Sequence, residues 1–177
     1  MQTDEGGAPG WAGRRSVWVL GAVVGIGAAA ALWIAGSSGD DDRQAEVATR
    51  GARVMPFDLE RTTHRFEARA DGGVQTVIAD VAGDSEQIDL IRRHLEAEAA
   101  RFRAGDFDDP AQIHGEEMPG LAELKAGAKR IDIRYEDVRA GARISYRTDD
   151  AVLVEALHDW FEAQLTDHGP HAEPSAS

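Results

Sequence analysis

Histidine and carboxylate side chains occur at spacings that suit a metal site. His94 precedes Glu98 by four residues, and His158 precedes Glu162 by the same interval. Residues four apart share one face of a helix, so each imidazole and its carboxylate can reach a common ion. Imidazole combined with carboxylate suits Zn, Cu, Fe or Ni. If the two segments form neighbouring helices, they predict a shared site, with Zn or Cu as the candidate ion.

Two further histidines extend this candidate set. His168 falls on the buried side of the last predicted helix if that helix continues so far. His114 stands four residues before Met118 in an acidic loop, and a His/Met pair favours copper or haem iron. The candidate metal ligands are therefore His94, Glu98, His158, Glu162, His168 and His114. Sequence identifies no catalytic residue and no cofactor-binding motif.

The same residues also have purely structural interpretations. His94 and His158 lie at the edges of apolar stripes, where an imidazole often borders a core. A His/Glu pair four apart is common on helix surfaces and contributes only a few tenths of a kcal/mol. A histidine in a last helical turn, such as His168, is favoured by the helix dipole alone. Met118 next to Leu121 is typical of core packing.

Composition excludes several classes of function. The chain has 177 residues and no cysteine, so disulfides, thiolate catalysis and cysteine-based zinc sites are absent. The formal net charge is -13, which disfavours nucleic acid as a partner. The sequence contains no Gly-x-Ser-x-Gly motif, phosphate loop or dinucleotide fingerprint, so it gives no support to hydrolase or nucleotide-dependent chemistry. The balance is against an enzyme.

An uncharged apolar run covers Ser16–Gly36. It has the roughly 20 residues that a bilayer core requires and predicts an uncleaved transmembrane helix. A cleaved signal peptide is the alternative, since Ala35-Gly36-Ser37 resembles a cleavage site. Arg14 and Arg15 before the run predict a cytoplasmic N-terminus and a periplasmic or extracytoplasmic domain, anchored to the inner membrane by a single pass.

The predicted organisation follows from this run. Residues 1–15 form a cytoplasmic tail, 16–36 the transmembrane helix, 37–53 a linker, 54–169 the extracytoplasmic domain and 170–177 a disordered tail. The membrane is then a partner through Ser16–Gly36. Gly21 and Gly25 form a GxxxG pair on one helical face, which predicts a homodimer.

The domain reads as two copies of a strand–strand–helix unit. Strands are predicted at 62–68 and 74–81 and again at 129–138 and 142–146, from their alternating apolar residues. A helix follows each pair, the first beginning at Asp84 or Ser85 and the second at Asp149 or Asp150, which are good N-caps. The fold class predicted is α+β: one N-terminal transmembrane helix plus a two-layer sandwich, with a four-stranded antiparallel sheet and two long helices on one face.

Several short segments resemble a family of small exported bacterial proteins. They are Met55-Pro56-Phe57-Asp58-Leu59, Thr62-Thr63-His64, Gly105-Asp106-Phe107, Ile113-His114-Gly115, Met118-Pro119-Gly120-Leu121 and Asp167-His168-Gly169. The resemblance covers residues 55–171 and implies an exported domain without an established activity. Members sometimes carry the label aspartate carbamoyltransferase. That activity is not expected here, because the chain is too short for the two domains of that enzyme and lacks its Ser-Thr-Arg-Thr run.

These observations lead to one functional expectation and two alternatives. The expectation is a membrane-anchored extracytoplasmic domain that binds a metal or another ligand through histidines. One alternative is a protein-interaction module without metal, which would use the polar face of its sheet. The other is a small enzyme that uses His and Glu as acid–base groups.

Overall fold

A computed structural model describes residues 25–174, with side chains from residue 39 onward. The chain divides into two compact units, Met1–Ser37 and Ser38–Ser177. The first is described only as the N-terminal part of a helix. The second contains the rest of that helix and every other element reported below.

Five α-helices and five β-strands are found in this described part. The helices are α1 (Gly25–Val54), α2 (Ser85–Ala104), α3 (Asp108–His114), α4 (Leu121–Gly127) and α5 (Ala151–His168). The strands are β1 (Thr62–Arg69), β2 (Gly72–Ala79), β3 (Asp132–Val138), β4 (Gly141–Arg147) and β5 (Ala172–Pro174).

Local signals account for the ends of the two long helices. The carboxylate of Asp84 accepts a hydrogen bond from the Gln87 backbone N–H at the start of α2, and Asp150 does the same for Val152 at the start of α5. Gly105 ends α2 with φ 89°, a left-handed conformation that glycine adopts without a steric penalty. Capping at Asp84 and at Asp150 confirms the helix starts predicted from sequence.

One face of the sheet is covered by both long helices. The strand order is β3-β4-β2-β1-β5, and the first four strands pair antiparallel. Alternate residues of these strands, such as Phe66, Val77, Ile144 and Tyr146, are buried in a single core with the apolar sides of α2 and α5. Trp160 of α5 is fully buried at its centre, against Tyr146 and the aromatic rings of the α2–α3 corner.

Each long helix mainly covers the hairpin of the other repeat. Helix α2 follows β1 and β2 in sequence but packs chiefly on β3 and β4, whereas α5 follows β3 and β4 but packs on β1 and β2. Arg92 and Arg103 of α2 also donate hydrogen bonds to backbone carbonyls of the second hairpin, at Val138, Gly141 and Ile133. The two repeats are therefore interleaved rather than stacked.

The structure contradicts the predicted fold class in two respects, although the domain is α+β. The sheet has five strands and is mixed, because β5 adds to the edge of β1 in parallel, where the sequence predicted four antiparallel strands. No helix among the described residues has the length and apolar character needed to cross a bilayer. Within the described residues, the helix that overlaps the predicted span covers Gly25–Val54.

Two further segments have a structure that differs from the one predicted from sequence. Residues 37–53 were expected to be a linker, but they belong to α1. Residues 172–174 of the predicted C-terminal tail form β5. Residues 16–24, including Gly21 of the GxxxG pair, lie outside the described residues, so the membrane location and the homodimer stay predictions.

Gly120 allows α4 to begin directly against α5. Its φ is +74°, and a Cβ added there would lie 2.0 Å from the carbonyl oxygen of Ala156. We expect Gly120→Ala to lower the free energy of unfolding by about 2 to 4 kcal/mol, through backbone strain and the displaced helix. Urea denaturation of the full-length chain measures this loss of unfolding free energy. Gly83→Ala is the control, because a Cβ there meets no atom within 4 Å; equal losses in both variants would contradict the explanation.

Candidate functional site

Helix α2 places His94 and Glu98 one turn apart on its buried side. Glu98 is 3% exposed and His94 is 9% exposed. The His94 Nε2 atom lies 3.5 Å from Glu98 Oε1 and has no hydrogen-bond partner within the described part of the chain. The ring of Phe57 packs edge-on against the imidazole at 5.6 Å between centroids. A buried nitrogen and a buried carboxylate thus face each other without a normal hydrogen bond.

Helix α3 supplies a third group to this pair. Gly105 turns the chain, and Phe107 stacks on Phe102 with ring centroids 4.4 Å apart, so α3 returns along the end of α2. This places Asp109 beside the pair. One ligand atom each from His94, Glu98 and Asp109 lie within 4.8 Å of one another. Burial, the paired helical turn and the returning helix together create a three-residue cluster, which we call the α2–α3 cluster.

The carboxylate of Asp109 is also held by an arginine. Arg101 Nη1 donates to Asp109 Oδ1 at 3.2 Å, and its second terminal nitrogen contacts Oδ2. With neutral imidazole, the cluster and Arg101 together carry one net negative charge. The arginine fixes the orientation of Asp109 and lowers the cost of placing two carboxylates side by side.

Three other histidines meet in the interior near Glu98. The rings of His64 and His168 are stacked with centroids 4.7 Å apart, and His114 meets His168 edge-on at 5.1 Å. We call them the imidazole cluster. Together with Glu98, Gln75 and Gln164 they line a cavity of about 10 Å³, close to the space of one water molecule. Glu98, a member of the α2–α3 cluster, therefore also borders the imidazole cluster.

His114 belongs to a hydrogen-bonded chain that reaches α1. Its Nδ1 donates to Asp167 Oδ2 at 2.8 Å. Arg43 of α1 donates to both oxygens of Asp167 at 2.7 Å and to the His114 carbonyl at 2.9 Å. This arrangement fixes the imidazole tautomer as in acid–base catalysts. Because His114 is 4% exposed, its imidazole is not accessible to a substrate, and these hydrogen bonds serve to join α1, α3 and α5.

Burial controls the protonation of the imidazole cluster. Burial, and then repulsion from His114, His94 and His171, lowers the pKa of His64 to about 4. Burial also lowers the pKa of His168 well below its ordinary value, despite the nearby Asp167 carboxylate. Burial alone would raise the pKa of Asp167, but hydrogen bonds from His114 and Arg43 outweigh it and lower that pKa to about 2. At neutral pH, His64 and His168 are therefore uncharged and Asp167 is ionised.

The fold does not bring the six ligands predicted from sequence to one site but distributes them among several. His94 and Glu98 are brought together, as their spacing predicted. His114 and His168 lie in the imidazole cluster. His158 Nε2 is 3.0 Å from the carbonyls of Arg69 and Gly72, so it donates to the β1–β2 turn. Glu162 is exposed on α5.

Sequence reasoning missed Asp109, His64 and Arg43 as members of these clusters. Asp109 is one of several acidic residues in its segment, and only the returning α3 distinguishes it. His64 could have been recognised, because it alternates with Phe66 on the buried face of β1. Arg43 lay in the segment that was expected to be a linker.

Comparison with known proteins adds no relative. The chain matches no protein-family model, no curated protein and no solved structure. The resemblance to small exported bacterial proteins therefore stays a prediction. Function has to be argued from the geometry of the α2–α3 cluster and its surroundings.

Proposed function

We propose that the protein binds one divalent transition-metal ion through His94, Glu98 and Asp109. The observation that carries this proposal is the 3.5 Å separation between His94 Nε2 and Glu98 Oε1, with the nitrogen buried and unpartnered. Two ligand atoms about 2.1 Å from a tetrahedral ion lie about 3.4 Å apart. A hydrogen bond between the same atoms would be about 2.7–3.2 Å long. The spacing fits a shared ion better than a direct hydrogen bond.

The donor set favours Zn²⁺ among the common ions. One imidazole and two carboxylates are ligands that zinc accepts, and the sequence had already suggested Zn or Cu. Three protein ligands leave a fourth tetrahedral position for water. The single net negative charge of the cluster and Arg101 supports a dication, which would compete with Arg101 for Asp109.

The test is metal affinity of the full-length protein and of matched variants. We expect Zn²⁺ to bind at one site per chain in competition with a colorimetric chelator, and Co²⁺ to give the visible absorption of a tetrahedral complex. His94→Ala and Glu98→Gln each remove a ligand and should weaken Zn²⁺ binding by at least about 100-fold, because even loss of an outer-shell partner costs about 10- to 100-fold.

Two control variants separate this site from the other candidates. His171→Ala removes a partly exposed histidine. Glu162→Gln changes an exposed carboxylate that was predicted from the sequence to be a metal ligand. Both should bind Zn²⁺ as the unaltered protein does. If His94→Ala binds as tightly as the controls, or if the unaltered protein binds neither Zn²⁺ nor Cu²⁺, the metal proposal fails and an interaction module is favoured.

A further inference from the structure

A second pocket lies on the other side of the imidazole cluster. It has a volume of about 210 Å³ and opens between α1, the short 3₁₀ turn Leu59–Arg61 and the end of α5. Ala45, Ala48, Leu59 and Pro170 give it apolar walls, and His64 and His168 line it as well. No member of the α2–α3 cluster lines this pocket.

The volume suits a single ring with a short substituent. A protein cavity of about 150 Å³ holds benzene, so about 210 Å³ leaves room for one or two more heavy atoms. Concave sites with apolar walls and a few convergent polar groups are the usual form of small-molecule sites. The polar groups therefore decide which ring-bearing compounds fit.

Those polar groups are mostly hydrogen-bond acceptors. His168 Nε2 lies 3.1 Å from Gln164 Oε1 and donates to it, so a neutral His168 presents a lone pair at Nδ1. Gln44 donates from its amide nitrogen to the Thr166 carbonyl, and its side-chain oxygen, an acceptor, lies close to Gly169. Asp167 also lines the pocket, and Arg43 and His114 already compensate the charge of its carboxylate.

A second carboxylate stands at the mouth, and no lysine or arginine of the described residues forms an ion pair with it. Glu60 is 75% exposed and lies 3.5 Å from His171 Nε2. Arg43 of α1 directs its hydrogen bonds to Asp167 and to the His114 carbonyl, and Arg61, the residue after Glu60, contacts Asp84. The pocket therefore offers a ligand neutral acceptors together with one carboxylate whose ion-pair partner within the described residues is His171.

We infer that this pocket is a binding site for a small primary amine with an apolar body of about one ring. The ammonium group would satisfy the acceptors of His168, Gln44 and Glu60, while the ring would lie against Ala48 and Leu59. The pocket also contains a buried imidazole whose Nδ1 has no hydrogen-bond partner among the described residues, that of His64. This site is separate from the proposed metal site and does not depend on it.

Three probes with the same ring test the chemistry of the ligand. Benzylamine, benzyl alcohol and benzoate are titrated into the full-length protein at pH 7 in the presence of a chelator, and binding is followed by calorimetry. We expect benzylamine to bind with a Kd below about 1 mM and at least about tenfold more tightly than benzoate. Benzoate binding as tightly as benzylamine, or no binding of benzylamine at 1 mM, would overturn the inference.

Matched variants locate the binding. Ala48 and Ala52 are both exposed on α1, but only Ala48 lines the pocket. Ala48→Leu should fill the pocket and weaken benzylamine at least about tenfold, whereas Ala52→Leu should leave the affinity unchanged. Glu60→Gln should weaken benzylamine about threefold and leave benzyl alcohol unchanged, because it removes charge but not shape. Equal effects of the two leucine variants would refute this location. Retention of benzylamine binding in His94→Ala would show that this site is independent of the metal.

Discussion

Acidification from pH 6.5 to pH 4 is expected to cost the folded protein about 3 kcal/mol through His64 alone. The ordinary pKa of 6.5 applies in the unfolded chain, and burial lowers it to about 4 in the fold. Each unit of difference corresponds to about 1.36 kcal/mol. Because the unfolded chain takes up the proton first, stability is complete above pH 6.5 and falls as pH decreases toward 4. His168 titrates in the same direction.

The groups around His64 act in both directions, and those that oppose its protonation dominate. His94 of α2, His114 of α3 and His171 after α5 all oppose a charge on it, and stacked His168 would become a second cation at close range. Glu98 borders the same cavity, and Asp167 lies beside His168. The negative charges of these two carboxylates favour protonation of the neighbouring imidazoles. Asp167 itself loses its stabilising contribution at lower pH, between its ordinary pKa of 3.8 and about 2, so the two effects occupy different pH ranges.

Urea denaturation between pH 7 and pH 4.5, with a chelator present, measures the effect. His64→Leu removes the titrating group while keeping an apolar side chain against Phe57 and Phe66. Its unfolding free energy should fall by about 2 kcal/mol less than that of the unaltered protein over this range. Val152→Ala, an exposed change on α5 that removes no titrating group, should retain the original pH dependence. Parallel pH curves for His64→Leu and the unaltered protein would contradict burial of a neutral His64.

Asp167→Ala is expected to lower the free energy of unfolding by about 2 to 4 kcal/mol. Asp167 is 5% exposed and accepts from both His114 and Arg43. Its removal leaves the buried His114 Nδ1–H without its acceptor and deprives Arg43 of its ion pair. Arg43 is half-exposed and can turn to water, which keeps the loss below that of a fully buried pair.

The same variant should release the C-terminal part of α1. Arg43 is joined to α5 through Asp167, with additional bonds from Gln44 to Thr166 and from Arg50 to Ile113. Limited trypsin digestion should cut Asp167→Ala at Arg50 or Arg53 much faster than the unaltered protein. Asp159→Ala, an exposed change on the same helix, should be cut at the original rate. Rapid cutting of the unaltered protein would show that this segment is the linker that its composition suggested.

The sequence predicts what local interactions determine. Alternation in β1, β2, β3 and β4, the caps at Asp84 and Asp150, and the glycine at 105 each act within a few residues, and all appear in the structure. The parallel strand β5 does not follow from such signals, because three residues with a proline have no periodicity and become a strand only beside β1. Helix α1 was hidden because residues 39–50 show few apolar side chains and are held by polar contacts.

In the candidate site, too, the residues placed by local structure were predictable and those placed by tertiary packing were not. His94 and Glu98 were predictable because their contact requires only one helical turn. Asp109 joins them through the return of α3, which depends on the tertiary packing of Phe107. His158 and Glu162 have the same spacing but do not approach the α2–α3 cluster. Helix α5 lies over the β1–β2 hairpin and directs His158 to the turn of that hairpin. Identical spacing on two helices says nothing about how the helices face each other.

The interleaving of the repeats limits how this chain can be divided. A fragment that ends after α2 would contain a hairpin without its covering helix and a helix without its hairpin, so neither apolar surface would be shielded. Mixing the two halves, however, should regenerate the domain by fragment complementation. Exchange of α5 between two chains would satisfy the same contacts, so a concentrated refolding mixture is where intertwined dimers would first be seen.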